Sequence, residues 1–275
     1  MSNGWFSLYL CHKFSGMATF LFDEIIFGPV ISRRLGVSLG INLLPTDSKV
    51  CSFDCIYCEC GRTPKSYDKK VKLPTRSEVK SRLRQKLIKM GKDGQLPDVI
   101  TFAGNGEPTL HPDFAGIIDD TIALRNKFSP DARIAVLSNA STLHKPDVFN
   151  ALLKIEDNIQ KLDSAFEETV RIMDCPEINF SIEKIIGQLI KFNGKVIIQT
   201  MFLKGEYHGQ HFDNTTPEEL KAWLKVLKKI KPEQVMIYTI ARDTPIDTLE
   251  KIPEQELTRI AALAEKEGFS VQVSA

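Results

Sequence analysis

Four of the six cysteines in this 275-residue chain lie within ten positions, in the stretch VCSFDCIYCECGR. Cys51, Cys55 and Cys58 have the spacing C-x3-C-x2-C, and Cys60 follows them. Clustered thiolates are typical ligands of zinc and of iron–sulfur clusters. Six irregularly spaced cysteines do not match the disulfide framework of a small secreted domain, so we expect a reducing, cytoplasmic setting and a metal centre.

The spacing leaves three interpretations of this cluster open. A structural zinc ion takes four ligands, commonly from two separate C-x2-4-C pairs, and Cys60 would have to double back to complete such a set. An iron–sulfur cubane takes one thiolate at each iron, so three cysteines would leave one iron open for chemistry. The third interpretation is incidental buried thiols. The spacing favours the iron–sulfur cluster, with Cys11 and Cys175 as small core residues.

The cysteines must be positioned by the surrounding elements, which alternate between apolar runs and helical patterns. Strands buried on both faces are predicted at 38–44, 98–104, 133–138, 159–163, 195–202, 234–240 and 269–273. Thr75 and Thr216, each with Glu three positions later, predict two helix starts, and further helices are expected over 114–128 and 253–268. The alternation predicts an α/β fold with a parallel sheet, either open or a partial or full (β/α) barrel of about six units.

Polar segments follow the predicted strands at one edge of this sheet. The cysteine loop follows the first strand, and GNGEPTLHP follows the second. The next four strands lead into SNAS, Asp163, QTMFLKG and TIAR. Because active sites form where the C-terminal ends of parallel strands meet their loops, we expect these segments to assemble one pocket.

The cysteine loop resembles the signature loop of the radical S-adenosylmethionine (SAM) superfamily, since aromatic Tyr57 directly precedes Cys58. The resemblance implies that Cys51, Cys55 and Cys58 are the metal-ligating and catalytic residues of a 4Fe–4S cluster. It also implies that SAM chelates the open iron and is reductively cleaved to a 5′-deoxyadenosyl radical, which abstracts hydrogen from substrate. The implied fold is a full or partial parallel (β/α) barrel.

A second motif supports the same superfamily. Gly104, Asn105, Gly106 and Glu107, followed by Pro108, resemble its Gly-Gly-Glu-Pro motif, with Asn105 in place of the first glycine of the pair. The resemblance implies that Glu107 and nearby carbonyls receive the ammonium group of SAM. The other positions to which it assigns cofactor contacts are Tyr57, Ser138, Asn139, Asp163, Gln199 and, at the adenine, Ile240.

A narrower resemblance covers about residues 20–275. The stretches FGPVISRRLGVSLGINLLP, TFAGNGEPTLHPDF, VLSNAS, QTMFLKG and YTIAR are similar to a bacterial group of radical SAM proteins related to the wyosine-base synthases of tRNA. This implies RNA base modification. The second cluster of the tRNA enzymes uses upstream cysteines, where only Cys11 is available. No residues remain for a flavodoxin-like domain, so we expect an external one-electron reductant of flavodoxin or ferredoxin type.

Two alternative functions remain open at this point. A protein-activating radical SAM enzyme that places a glycyl radical on a partner would also be small and would need a partner surface. A non-enzymatic α/β protein stapled by zinc belongs to a different class. The two enzyme hypotheses differ from the zinc hypothesis in requiring an open iron.

Charge and hydropathy define the remaining expectations. Residues 62–92 contain twelve lysines and arginines against two acidic residues, a net charge of +10 in a chain of net charge +1. This segment is interpreted as a solvated helix face or as a phosphate-facing patch that binds tRNA. No apolar run reaches the roughly 18 residues of a membrane span. We predict an N-terminal extension over 1–24, with Met17 as a candidate start, and a single domain over 25–275.

Overall fold

The computed structural model of the protein describes residues 20–32, 35–64, 71–177, 179–242 and 244–275. Its first elements are the antiparallel strands β1 (Ile26–Ser32) and β2 (Gly36–Ile41), and the loop after β2 carries the cysteines. Residues 1–19 contain most of the predicted extension, including Met17, and lie outside the described residues.

Helices and strands then alternate along the chain. The first half of the series is α1 (Arg76–Lys92), β3 (Val99–Phe102), a 3-10 turn (Pro108–Leu110), α2 (Phe114–Phe128), β4 (Arg133–Ser138), α3 (Pro146–Leu152) and β5 (Asp157–Lys161). The second half is α4 (Glu167–Asp174), α5 (Ile182–Ile190), β6 (Ile197–Met201), β7 (Leu203–Tyr207), β8 (Gln210–Asp213), α6 (Pro217–Ile230), β9 (Gln234–Tyr238), β10 (Leu249–Lys251), α7 (Glu254–Lys266) and β11 (Val271–Ser274).

The main sheet has the order β1-β2-β3-β4-β5-β6-β9-β11, and every neighbouring pair from β2 to β11 is parallel. It curls into a half-barrel, which confirms the predicted partial parallel (β/α) barrel. All seven predicted strands are present, as β2 to β6, β9 and β11. The sequence did not predict β1 as a paired strand, because a Gly-Pro pair interrupts its pattern and its register shifts there. The small β10-β7-β8 sheet was also missed, because its strands are short and mostly polar.

Alternate side chains of the strands serve two different layers, because successive residues point to opposite faces of a sheet. The outer face packs under the helices through Leu39, Ile41, Ile100, Phe102, Ile134, Val136, Ile198, Val235 and Ile237. The inner face carries a second apolar cluster of Leu35, Val99, Ala135, Ile159, Ile197 and Met236. The same alternation places Lys161 and Gln199, which are paired in register, on this inner face.

The predicted helix starts are confirmed at both threonines. The Thr75 hydroxyl accepts from the Glu78 N–H at 3.2 Å, and the Thr216 hydroxyl accepts from the Glu219 N–H at 3.3 Å. The apolar face predicted for α1 is buried as Val79, Leu83, Leu87 and Met90. None of the helices in the described part of the chain combines the length and apolarity needed to cross a bilayer.

We predict that Leu83→Ala destabilises the fold, since Leu83 is fully buried where α1 packs on the sheet. The lost burial and the remaining cavity should lower the free energy of unfolding by about 2–5 kcal/mol, measured by chemical denaturation. Leu96→Ala is the matched control, because Leu96 is 43% exposed. Its effect should stay within about 0.5 kcal/mol. Equal effects of the two changes would contradict the assignment of the α1 face.

Candidate functional site

The cysteine loop is attached to the turn after β3 by main-chain pairing. Val50 and Gly106 form an isolated parallel bridge. The Val50 N–H donates to the Asn105 carbonyl at 2.9 Å, and the Glu107 N–H donates to the Val50 carbonyl at 3.0 Å. A Cβ at Gly106 would lie 1.9 Å from the Val50 carbonyl oxygen, and φ is +132° there. Glycine is therefore required where Cys51 leaves this bridge.

The Asn105 side chain joins three main-chain segments. Its Oδ1 accepts from the Phe22 N–H at 2.8 Å, and its Nδ2 donates to the Phe22 and Pro45 carbonyls at 2.8 and 2.7 Å. The hydrogen bonds of the Asn105 side chain are therefore made with main-chain groups of the protein itself. Phe22 belongs to the predicted N-terminal extension, so the described end of that extension contacts the turn.

Glu107 links the turn after β3 to the end of β4. Its Oε1 accepts from the Thr109 N–H at 3.1 Å and from the Thr109 hydroxyl, and its Oε2 accepts from the Asn139 N–H at 2.6 Å. Burial raises the pKa of Glu107, and these donors partly offset that rise. The carboxylate, predicted to receive the SAM ammonium, is engaged by protein donors in this arrangement.

Asn139 holds the first cysteine. Its Nδ2 lies 2.9 Å from the Ser52 Oγ and 3.6 Å from the Cys51 Sγ. The Ser52 hydroxyl also meets the Ser141 hydroxyl at 2.7 Å. The neighbouring Ser138 hydroxyl accepts from the Ala140 N–H at 3.1 Å and shapes the same turn. The end of β4 therefore positions Cys51 and Ser52.

A buried charged cluster holds the other end of the loop. Lys161 binds both Asp163 and Asp174, the latter at 3.0 Å, and its Nζ lies 4.6 Å from the centre of the Tyr57 ring. The Tyr57 hydroxyl donates to Asp163 and, at 3.1 Å, to Asp174. Asp163 also accepts from the Met201 N–H at 2.9 Å. Tyr57 and Asp163, both predicted to contact SAM, are thus bonded to each other.

The electrostatics of this cluster follow from its burial. Burial raises the pKa of Asp174 to about 7, although Lys161 opposes the rise. Burial lowers the pKa of Lys161, but Asp163 and Asp174 more than offset it, so the pKa lies well above the ordinary value. Sequence reasoning missed Lys161 and Asp174. The available signal was a lysine at the end of an otherwise buried strand, while Asp174 carried none.

The two remaining predicted residues lie at the inner face and the rim. Gln199 lines an internal cavity of about 150 Å³ together with Thr101, Leu137, Ile159 and Met236. Phe22 and Phe27 form another wall of this cavity, stacked at 3.8 Å. Ile240 packs against a separate apolar cluster that includes Cys55 and Tyr57. The structure therefore packs Ile240 and part of the cysteine loop against the same apolar cluster.

Lys49 is a further residue that sequence reasoning missed. Its side chain is 3% exposed, and its Nζ donates to the Gly61 carbonyl at 2.8 Å. Burial lowers its pKa, but the nearby Cys58, Cys51 and Cys55 raise it more, so the net shift is upward. One buried ammonium group therefore lies beside the cysteine loop.

The thiols differ in their electrostatic environment. Burial raises the pKa of Cys51 to about 12 and that of Cys55 well above its ordinary value. The interaction with the neighbouring Cys60 side chain lowers the pKa of Cys58 to about 6, and the same interaction raises the pKa of Cys60. The Cys60 Sγ also lies 3.4 Å from the Gly104 carbonyl oxygen, which ties it to the neighbouring turn.

Comparison with known proteins gives the class of the chain. A profile of the radical SAM superfamily matches residues 46–215. A UPF0026 protein of Methanocaldococcus jannaschii is 30% identical over 244 residues, covering 87% of this chain and 70% of that protein. A radical SAM methyltransferase from Sphaerobacter thermophilus shares the fold with a TM-score of 0.64 at 12% identity, over 86% of this chain and 65% of that one. The chain belongs to the radical SAM superfamily.

Two further similarities are more limited. A protein named GTPase Obg from Brachyspira hyodysenteriae is 31% identical over 85% of this chain, but the chain spans only 32% of that relative's length. The structure of TYW1 with a lysine–pyruvate adduct has a TM-score of 0.58 at 15% identity, over 83% of this chain and 73% of that one. This second similarity concerns the fold.

As a member of the superfamily, the protein is an enzyme with a 4Fe–4S cluster and SAM as cofactors. In the described part of the chain, no three His, Cys, Asp or Glu side chains converge on a single metal ion. A cubane offers a separate iron to each thiolate, so the chemistry of the donors is the test of fit. The Phe53 N–H lies 3.4 Å from the Cys51 Sγ, the Asn139 amide 3.6 Å from it, and Lys49 faces the loop. These donors suit thiolates, the ligating form of cysteine, so the residues fit the cluster.

We predict that Gly106→Ala detaches the cysteine loop, because the new Cβ meets the Val50 carbonyl. Iron and sulfide content after anaerobic reconstitution should fall, and the melting temperature of the apoprotein should drop. Gly187→Ala in α5 is the matched control, since a Cβ added there would have no atom within 4 Å and the helix gains up to about 1 kcal/mol. Normal cluster loading by Gly106→Ala would contradict the importance of this contact.

We predict that Lys161→Met destabilises the apoprotein by about 3–5 kcal/mol, because Asp163 and Asp174 are left buried without their cation. Chemical denaturation measures the change. Adding Asp174→Asn to Lys161→Met should restore part of the loss, since it removes an uncompensated carboxylate. Additive losses in the double variant would argue against the ion pairing as the source of stability.

Proposed function

We propose that Cys51, Cys55 and Cys58 hold the 4Fe–4S cluster and that the enzyme modifies a base of tRNA or another RNA by SAM-dependent radical chemistry. The observation that carries the cofactor assignment is the contact of the cysteine loop with the turn at Gly106. This contact supports a position of the three thiols at the mouth of the half-barrel, beside the turn whose sequence resembles a SAM-binding motif.

When bound, the cluster and SAM supply a 5′-deoxyadenosyl radical that abstracts hydrogen from substrate. The protein residues bind and orient these groups. Asn139 and Lys49 hold the cysteine loop, and the Gln199 amide offers hydrogen bonds inside an otherwise largely apolar cavity. The stacked rings of Phe22 and Phe27 line one side of that cavity.

The RNA proposal is supported by the charge of α1. In the described part of the chain, no acidic partner is found for Arg84, Lys86, Lys89 or Lys92 of this helix, whereas Arg76 and Lys80 bind Asp120. The Pro74 carbonyl meets the ring of His111 at 2.8 Å, so α1 begins near the mouth. A crossover helix runs opposite to its strands, and α1 therefore extends about 25 Å along the flank. One end of a polyanion bound along this flank would therefore reach the mouth of the half-barrel.

The proposed reaction draws its electron from a separate donor. The donor is a one-electron reductant of flavodoxin or ferredoxin type, and dithionite replaces it in the experiments below. SAM cleavage with dithionite tests the cofactor assignment without requiring the physiological partner.

We expect reconstituted, reduced protein to form 5′-deoxyadenosine from SAM, with more product when bulk tRNA is present. Cys58→Ala should lose iron and activity. Cys60→Ala is its matched control and should retain the cluster, since its thiol lies against the Gly104 carbonyl. A colourless, zinc-containing preparation would contradict the cofactor assignment. Activity that responds to a protein partner and not to tRNA would favour the protein-activating alternative.

Filter binding tests the RNA contact separately. The exposed pair Arg84→Gln/Lys89→Gln should weaken tRNA binding and reduce the slope of log K against log salt by about 2. Lys221→Gln/Lys225→Gln removes the same charge from the exposed face of α6 and should leave the slope unchanged. If tRNA binding does not depend on salt concentration, or if the two double variants have equal effects, the α1 flank is ruled out as the RNA surface.

A further inference from the structure

Lys49 is a buried cation whose charge needs compensation. Burying an ammonium group is expensive unless it is paired, so such groups are found beside anions. The carboxylate of Asp54 is 3.8 Å away, and its oxygens also receive Arg62 at 2.8 Å and the Thr63 N–H at 2.5 Å. Asp54 is therefore shared among three donors.

The three thiols add to this compensation once they are thiolates. The Lys49 ammonium donates to the Gly61 carbonyl at 2.8 Å, and the Gly61 N–H in turn donates to the Cys58 carbonyl at 2.9 Å. These two hydrogen bonds hold the buried ammonium beside the cysteine loop. A 4Fe–4S cluster bound here would thus have a fixed positive charge within its protein shell.

Two other charged groups near the cysteines have their own charged partners. Lys161 is held between two carboxylates, and Glu59 pairs with Arg242 at 2.6 Å at a more exposed position. Lys49 is also deeply buried, and its N···O distance to Asp54, 3.8 Å, is longer than the distances from Lys161 to its two carboxylates.

We propose that Lys49 is a positioning residue that raises the reduction potential of the cluster. This inference rests on the proposed cluster ligation by Cys51, Cys55 and Cys58. In the step concerned, one electron passes from the external reductant to the cluster, the reductant is oxidised, the iron is reduced, and no bond breaks. The added electron makes an already anionic centre more negative. A nearby buried ammonium stabilises that state more than the oxidised one, because net charge, hydrogen bonding and solvent exposure set these potentials.

Three substitutions separate the effect of the Lys49 charge from that of its hydrogen bond to the Gly61 carbonyl. Lys49→Gln retains a donor for the Gly61 carbonyl but removes the charge, Lys49→Met removes both, and Lys49→Arg keeps the charge. Each reconstituted protein is titrated with dithionite while the reduced cluster is followed by electron paramagnetic resonance. At a fixed solution potential, the ratio of reduced to oxidised cluster in Lys49→Gln and Lys49→Met should be about tenfold lower than in wild type. This corresponds to a reduction potential that is lower by about 59 mV for a one-electron couple. Lys49→Arg should resemble wild type.

The controls make each result decisive. Arg62→Gln removes a cation whose side chain is 35% exposed and paired with Asp54, and it should shift the potential less than Lys49→Gln. A wild-type potential in Lys49→Gln overturns the inference. So does an equal shift in Lys49→Arg, which would point to loop geometry instead of charge. If Lys49→Met does not load a cluster, Lys49→Gln and Lys49→Arg still decide the question. Absence of a cluster in the wild type would instead defeat the proposed function.

Discussion

The main-chain contact between Val50 and Gly106 is the constraint on which the site depends. It is an isolated parallel bridge that ties the start of the cysteine loop to the turn after β3. The contact exists only because residue 106 lacks a Cβ. A flexible loop could not hold three thiols at fixed separations, whereas a loop tied to a parallel sheet presents them in one arrangement.

The sequence was sufficient to predict the sheet and the edge at which the site lies. Runs such as 98–104 and 234–240 are apolar on both faces, and that pattern is typical of parallel strands covered by helices. The sequence did not predict the hydrogen bonds that individual side chains make. Asn105 binds Phe22, and Tyr57 binds Asp163, across 83 and 106 residues of chain. Such bonds depend on how loops meet after the fold has formed, and no local periodicity encodes them.

This difference matters for cofactor binding. Several polar side chains expected to face SAM are already bonded within the protein, notably Glu107, Asn139 and Asp163. These bonds hold together the loops after β3, β4 and β5. Their contribution to the site is therefore to fix the shape of the mouth, because preorganised groups lose less entropy when a ligand binds. Gln199, by contrast, lines the cavity on the inner face of the sheet.

The two buried lysines show how one loop uses charge in two ways. Lys161 has its counter-charges in the protein, from Asp163 and Asp174, and thereby secures Tyr57 without help from a cofactor. Lys49 shares the Asp54 carboxylate with Arg62, and its hydrogen bond to the Gly61 carbonyl keeps it beside the cysteine loop. Buried charges are tolerated when they are paired. Lys161 is thus balanced by two protein carboxylates, whereas Lys49 shares a single carboxylate with other donors.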